Sequence, residues 1–330
     1  MSDIIVCQQL TKQYGDHKVV DRLDLRVPGN IVFGFLGPNG AGKSTTMKLL
    51  TGQIKPTGGT AWVAGADVTR NSLEARRHIG YLSELPNFYP WMKGQELLEL
   101  AGELFGLNPA TRKARAKELL DLVGLTDAGQ RKVGGYSGGM RQRLGIAQAL
   151  VNRPKVVFLD EPVSALDPLG RRDVLNLLGN IRQEATVFMS SHVLADVDRV
   201  CDQVSILNRG QVIAAGTTTE LKERNAISAI IIELDGNHNA AGRLAAAIQG
   251  ESWLKNATTL DNGRLKVELT SENYMHEAGQ RIPRLVSELE LSLRSYQAVV
   301  PNLEDVFMQL LNAANEKAES QDTGQARVLG

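Results

Sequence analysis

Eight residues, Gly37-Pro-Asn-Gly-Ala-Gly42-Lys43-Ser44, have the types and spacing of a phosphate cradle. They fit G-x-x-x-x-G-K-[ST] at every fixed position. The glycines let the backbone wrap an anion with its N–H groups turned inward, and a helix starting there adds its positive dipole end. Lys43 would reach the β- and γ-phosphates of a nucleotide, and the Ser44 hydroxyl would hold Mg²⁺. A second stretch, Val156-Val-Phe-Leu-Asp160-Glu161-Pro162, ends an apolar run in two carboxylates. Asp160 there can hold Mg²⁺ through its shell, and Glu161 would face the γ-phosphate as a base for water. A strand ending in Asp-Glu says little alone; beside Gly37–Ser44 it specifies nucleotide chemistry. A third stretch, Tyr136-Ser137-Gly138-Gly139-Met140-Arg141-Gln142-Arg143, opens with a good N-cap and two glycines that leave N–H groups uncovered. By residue type it is either an ordinary capped helix or a second anion-binding terminus, and chemistry alone favours the first.

These groups need a sheet to hold them. Ile31–Leu36 reads as a buried strand before the glycine loop, and Ser44–Leu50 as a helix behind it. Ile4–Leu10 and Val19–Val27 alternate as strands, with turns at Gly15-Asp16 and Pro28-Gly29-Asn30. A short strand follows at Thr60–Val63. Residues 92–150 are mostly helical in pattern, with apolar periodicity over Glu96–Phe105 and Thr111–Val123. Val156–Leu159 and Thr186–Met189 are short buried strands, and Val204–Leu207 with Val212–Ala215 form a hairpin. The alternation predicts an α/β fold with a mostly parallel sheet. A second unit follows from about residue 226: strand Ile227–Leu234, helix Ala240–Ile248, strands Trp253–Leu260 and Arg264–Leu269 around an Asp-Asn-Gly turn, helix Tyr274–Leu289, strand Leu291–Gln297 and helix Asn302–Asn312. That β-α-β-β-α-β order predicts a small ferredoxin-like sandwich. Residues from about Ala313 are polar and small and are expected to be a disordered tail.

At 330 residues two domains are expected. The 37 basic and 37 acidic residues cancel, so net charge gives no general pull toward nucleic acid and leaves only a local basic patch open. Cys7 and Cys201 lie far apart, form no C-x-x-C pair and suit a reducing cytosol. No apolar stretch nears the roughly 18 residues that span a bilayer. No basic, apolar leader opens the chain. If the protein works at a membrane, another chain supplies the spans.

The set GPNGAGKS, YSGGMRQR, VVFLDEP, SALD and SSH, in this order, resembles the ATP-binding subunits of ABC transporters over residues 1 to about 225. The string Asn302-Leu-Glu-Asp-Val-Phe-Met-Gln-Leu310 is similar to the end of an accessory domain in the exporter-like subclass that pairs with a separate permease chain. The resemblance implies a P-loop NTPase with a helical subdomain near 85–150, an antiparallel β subdomain, and an accessory α+β domain over 226–312. It implies ATP and Mg²⁺ as ligands, with ATP held by Tyr14, Gly37, Pro38, Asn39, Gly40, Ala41, Gly42, Lys43, Ser44 and Thr45. Tyr14 would stack on adenine; otherwise it is a strand-edge tyrosine. Ser44, Glu84 and Asp160 would hold Mg²⁺. Glu161 and His192 would be catalytic, although a lone histidine after a strand is more often structural. Ser137, Gly138 and Gly139 would meet the γ-phosphate held by a second copy, and Asp167 would cross that interface. Two departures stand out. Tyr136 and Met140 replace the ends of the usual LSGGQ, and Glu84 replaces the usual Gln. Glu84 can still ligate a hard cation but adds charge near Asp160 and Glu161.

The expected function is an ATP-hydrolysing motor: a head-to-tail pair of copies drives a polytopic membrane permease from the cytoplasmic face of the cell membrane, for export. Phe88, Tyr89, Pro90 and Trp91 would receive the permease or belong to the subdomain core. The accessory domain would clamp the dimer or regulate it. The alternatives are an ABC-type ATPase acting on nucleic acid or ribosomes, and a stand-alone P-loop kinase. The single ATPase unit and the absence of sustained heptads weigh against the first. The second has no need of Ser137–Gly139 or Asp167.

Overall fold

The apolar runs flanking the candidate site become strands buried on both faces, as parallel strands covered by helices must be. The computed structural model describes residues 3–326, apart from Ala165, residues 225–228, residues 236–237 and residues 300–301. β1 (Asp3–Tyr14) and β2 (His17–Pro28) pair antiparallel across the Gly15 turn. β3 (Val32–Leu36) is buried at every residue and runs through the glycine loop into α1 (Lys43–Leu50). β4 (Gly58–Val63) pairs with β1, and β5 (Ala66–Asp67) with β4, closing an antiparallel sheet in the order β2-β1-β4-β5.

The chain then crosses through α2 (Ser72–Arg76) to β6 (Ile79–Leu82). α3 (Gly94–Leu104), α4 (Pro109–Leu122) and α5 (Gly138–Ala149) follow. Their starts are written locally. Asn108 caps α4 by accepting the Thr111 N–H, with Pro109 at the first helical position, and Ser137 caps α5 by accepting the Met140 N–H. β7 (Val156–Leu159), α6 (Pro168–Ile181), β8 (Thr186–Ser191), α7 (Leu194–Val200) and the hairpin β9 (Gln203–Asn208) and β10 (Gln211–Thr217) complete the first unit's sheet. Its order is β10-β9-β3-β8-β7-β6, parallel except for β10. Phe188 of β8 is its hub, with ring centroids 5.2–5.3 Å from those of Phe33, Phe35 and Phe158.

The chain divides into two compact units, residues 1–218 with 307–330, and residues 219–306. α8 (Thr218–Arg224) leads to β11 (Ala229–Asp235), α9 (His238–Ala247), β12 (Leu254–Thr259), β13 (Arg264–Leu269), α10 (Met275–Glu288), β14 (Ser292–Val299) and α11 (Leu303–Ala326). The sheet is antiparallel in the order β12-β13-β11-β14. The Asp261–Gly263 turn joins β12 and β13, with Gly263 at φ +73°. Ala278, Ile282, Leu285 and Val286 form the buried stripe of α10, and Trp253 is wholly enclosed in this second core.

The expected domain limits differ from this division. The 225/226 boundary lies outside the described residues. The second unit ends at Val306, and residues from Phe307 group with the first unit. The last helix runs to Ala326 where a disordered tail was expected from Ala313. Ala, Glu, Lys and Gln dominate that stretch, and these are strong helix formers even where little apolar surface is available. No helix among the described residues is long and apolar enough to cross a membrane.

Phe188→Ala should cost about 3–5 kcal/mol, because three rings lose their common neighbour in a core that cannot collapse. Denaturant unfolding of the first unit measures it; a loss below about 1 kcal/mol would show that the rings pack independently.

Candidate active site

The glycine loop closes because two of its positions admit no side chain. Gly42 sits at φ +104°, and a Cβ there would lie 2.5 Å from the Val19 carbonyl oxygen. At Gly37 a Cβ would lie 2.5 Å from the Leu207 carbonyl oxygen. The loop therefore lies flat against β2 and β9, and its turn is held by Ala41 N–H donating to Pro38 O at 3.1 Å. Lys43 folds back under it. Its Nζ donates to Gly37 O at 2.7 Å and to Pro38 O at 3.3 Å. The same ammonium is 3.7 Å from Glu161 Oε1, and both side chains are almost fully buried. Burial pushes the Lys43 ammonium below the ordinary lysine range, against the pull of the Glu161, Asp160 and Glu84 carboxylates.

The parallel order of β3, β8 and β7 sets three chain segments side by side at the carboxyl ends of the strands. β3 delivers the loop, β7 delivers Asp160 and Glu161, and β8 delivers Ser190, Ser191 and then His192. Ser44 Oγ donates to Asp160 Oδ1 at 3.2 Å. Ser190 Oγ donates to the same oxygen at 2.6 Å and accepts the Glu161 N–H at 2.9 Å. Glu161 stands at φ +48°, in the left-handed region. For a non-glycine residue this costs on the order of 1–3 kcal/mol and persists only where neighbours enforce it. Here the enforcement comes from Ser190 on the backbone and from two partners on the carboxylate. His192 Nδ1 lies 2.8 Å from Glu161 Oε2, an arrangement in which the imidazole donates to the carboxylate. His192 itself is half-exposed.

A cleft of about 270 Å³ opens over these groups, lined by Val19, Pro38 to Thr45, Glu84, Glu161 and His192. Its contents are a buried cation, backbone N–H groups and carboxylates with a histidine behind them. That set could bind a phosphate chain and place a base at its end. Asp160 lies just beneath, joined to the lining through Ser44.

Other sequence-predicted residues lie elsewhere. Tyr14 is at the exposed end of β1, opposite His17, with the Lys12 ammonium 4.8 Å from its ring centroid. Ser137 and Gly138 are exposed at the start of α5, and Gly139 is half-buried. Asp167 is exposed and caps α6, accepting the Gly170 N–H at 3.0 Å. None of these residues lines the cleft. Tyr136 is buried and donates from its hydroxyl to Ala128 O at 2.6 Å, which explains an aromatic at the first position of that stretch. The aromatic cluster splits: Tyr89 and Trp91 are exposed with ring centroids 5.2 Å apart, while Phe88 turns toward Gly145. Two contributors carry no reading from sequence. Ser190 stands two residues before His192, and its hydroxyl acquires a role only when β8 lies beside β7. Val19 leaves no local signal, since its carbonyl matters only through the tertiary approach of the loop.

The chain is similar to several known proteins. The family profile described as ABC transporter matches residues 20–164. An uncharacterised ABC transporter ATP-binding protein of Bacillus subtilis is 36% identical over 306 residues, covering 93% of this chain and 99% of that protein. The daunorubicin/doxorubicin resistance ATP-binding protein of Streptomyces peucetius is 36% identical over 302 residues, covering 91% and 90%. A solved ATP binding subunit of an ABC transporter superposes with a TM-score of 0.61 at 29% identity, covering 67% of this chain and 92% of that one.

Ser190→Ala leaves the buried Glu161 N–H without its acceptor. The expected loss is about 1–3 kcal/mol of stability, read by denaturant unfolding, with Ser190→Thr largely restoring it. Unchanged stability in Ser190→Ala would show that Glu161 keeps its backbone without the hydroxyl.

Proposed function

The chain belongs to the ABC transporter family as an ATP-binding, ATP-hydrolysing motor subunit, and we propose how its residues do that work. One observation carries the reading. The cleft gathers the glycine loop, Lys43, Glu84, Glu161 and His192, yet takes neither Ser137–Gly139 nor Asp167. The chain thus presents half of a site. A second copy, head to tail, brings its α5 terminus and its Asp167 to the γ-phosphate, so that two ATP molecules lie between two copies. Binding closes the pair and hydrolysis opens it.

Within each half, the loop N–H groups and Lys43 hold the β- and γ-phosphates. Glu161 accepts a proton as the water oxygen bonds to the γ-phosphorus and the bond to the departing ADP breaks. His192 holds Glu161 Oε2 in place. Catalysis is then positioning and charge stabilisation. Tyr14 is assigned to the adenine. The donor set also fits Mg²⁺, since Ser44 Oγ and Asp160 Oδ1 are adjacent hard oxygens. Among the described residues no group of three or more His, Cys, Asp or Glu would hold a metal ion by itself. An Mg²⁺ held by Ser44 and Asp160 would supply positive charge to offset that of the phosphates. Glu84, on the wall of the cleft, is assigned to the same shell.

The membrane partner is a separate permease, with this subunit peripheral to it on the cytoplasmic face. A groove of about 870 Å³ supports this, with exposed Leu73, Leu104 and Phe105 beside Arg76, Arg77 and Tyr81. Exposed large apolar side chains around one concavity mark a protein contact, and an amphipathic helix fits it. Transport is assigned as export, in keeping with the relative named for daunorubicin/doxorubicin resistance.

Glu161→Gln keeps the shape and removes the base. ATP affinity should stay within a few fold, turnover should fall by at least about 100-fold, and an ATP-bound pair should accumulate on size-exclusion chromatography. Wild-type turnover in this variant would reject Glu161 as the base. Leu104→Arg should keep basal ATPase activity and abolish co-sedimentation with permease-containing membranes; undiminished co-sedimentation would place the permease elsewhere.

A further inference from the structure

α7 is short, and it begins two residues after His192, with Val193 as its N-cap. Two contacts hold it, one to β3 and one to α6. In the first, Val197 packs so closely on β3 that a Cβ at Gly34 would lie 2.9 Å from its Cγ1. In the second, Asp196 in its first turn receives the Arg171 guanidinium. Arg171 Nε donates to Asp196 Oδ1 at 2.6 Å and to Oδ2 at 2.8 Å, and Nη2 is 2.5 Å from Oδ2. Asp196 is 5% exposed, so its charge is withdrawn from water and answered by one arginine through three contacts. Arg171 belongs to α6, a longer helix anchored by buried Val174, Leu175, Leu178 and Ile181. A bidentate Arg–carboxylate pair fixes orientation as well as distance. Neither residue reaches the cleft lining.

We propose that Arg171 and Asp196 are positioning residues for hydrolysis: they clamp α7 to α6 and so set His192 against Glu161. Between Asp196 and His192 lie only three residues: Leu194 and Ala195 belong to α7 itself, and Val193 before them is held by Ser191 Oγ, which accepts its N–H at 2.9 Å. A tilt of α7 therefore moves the imidazole directly. Its hydrogen bond to Glu161 has no slack to absorb an ångström, and a misplacement of that size costs about 100-fold in rate. The loss falls on the chemical step, because the loop and Lys43, which hold the phosphates, belong to other segments. The inference rests on His192 acting through Glu161, as proposed above.

The test uses the full chain, with Arg171→Lys and Asp196→Asn as gentle variants, His192→Ala as reference, and unfolding temperature followed throughout. Arg171→Lys keeps the charge and loses the fork. Its kcat should fall about 10- to 100-fold, with KM and the affinity for a non-hydrolysable ATP analogue unchanged. In single-turnover measurements Arg171→Lys should add little to the loss already caused by His192→Ala. A kcat near wild type in folded Arg171→Lys and Asp196→Asn, with His192→Ala strongly impaired, overturns the clamp and leaves the hydrolysis reading intact. Additive losses overturn it too, by showing that the pair acts elsewhere. Wild-type turnover in His192→Ala would instead reject the reading on which the clamp rests.

Discussion

A lysine ammonium taken out of water beside a carboxylate is the constraint from which the rest of this structure follows. Removing such ions from water costs several kcal/mol each, and attraction repays it only with good geometry and further hydrogen bonds. Lys43 has two carbonyls of its own loop and one oxygen of Glu161. Glu161 in turn depends on His192 and Ser190, and Asp160 on Ser44 and Ser190. Every one of these partners comes from the end of β3, β7 or β8 or the segment just after it. The strand order β3-β8-β7 is thus what makes the buried charges tolerable, and the phenylalanine cluster beneath keeps that order.

The site is correspondingly tense. Glu161 sits in a backbone region that non-glycine residues avoid, and Lys43 is held against its preference for water. Strain of this kind persists only where surroundings over-determine it, and it collects at functional positions. A phosphate chain entering the cleft would meet the loop, the Lys43 ammonium and the Glu161 carboxylate already arranged, so that little reorganisation would be left for the reacting state. Meanwhile the termini of α5 and α6 stand exposed, away from the cleft. On the reading proposed above, one chain would hold a phosphate from one side, and the assignment of the other side to a second copy would account for two capped helices facing outward.

Much of this was legible in the order of residues. The glycine loop, the Asp160-Glu161 pair and the capped terminus at Ser137 are contiguous motifs, and contiguous motifs survive without a fold. The alternation over β1 and β2 and the apolar runs at β3, β7 and β8 were plain for the same reason, although β1 and β2 run longer than their patterns suggested. The second unit's hairpin announced itself through Asp-Asn-Gly. Short elements such as β5 and α2 leave too few residues for any periodicity, and the last helix runs past Ala313 on helix propensity where hydrophobicity is low.

The sequence alone determined which chemistry is present: a phosphate loop with its lysine, a carboxylate pair after an apolar strand, a histidine after another. It did so because backbone chirality, glycine freedom and side-chain type act within a few residues. Only the tertiary structure decided which groups meet. That Ser190 binds both Asp160 and the Glu161 backbone, that Val19 backs Gly42, and that Arg171 reaches Asp196 all depend on strands and helices far apart in the chain being laid side by side. Sheet order and helix packing are set by the burial of whole faces against one another. No local pattern encodes that, and so none of these three partnerships was visible before the fold was known.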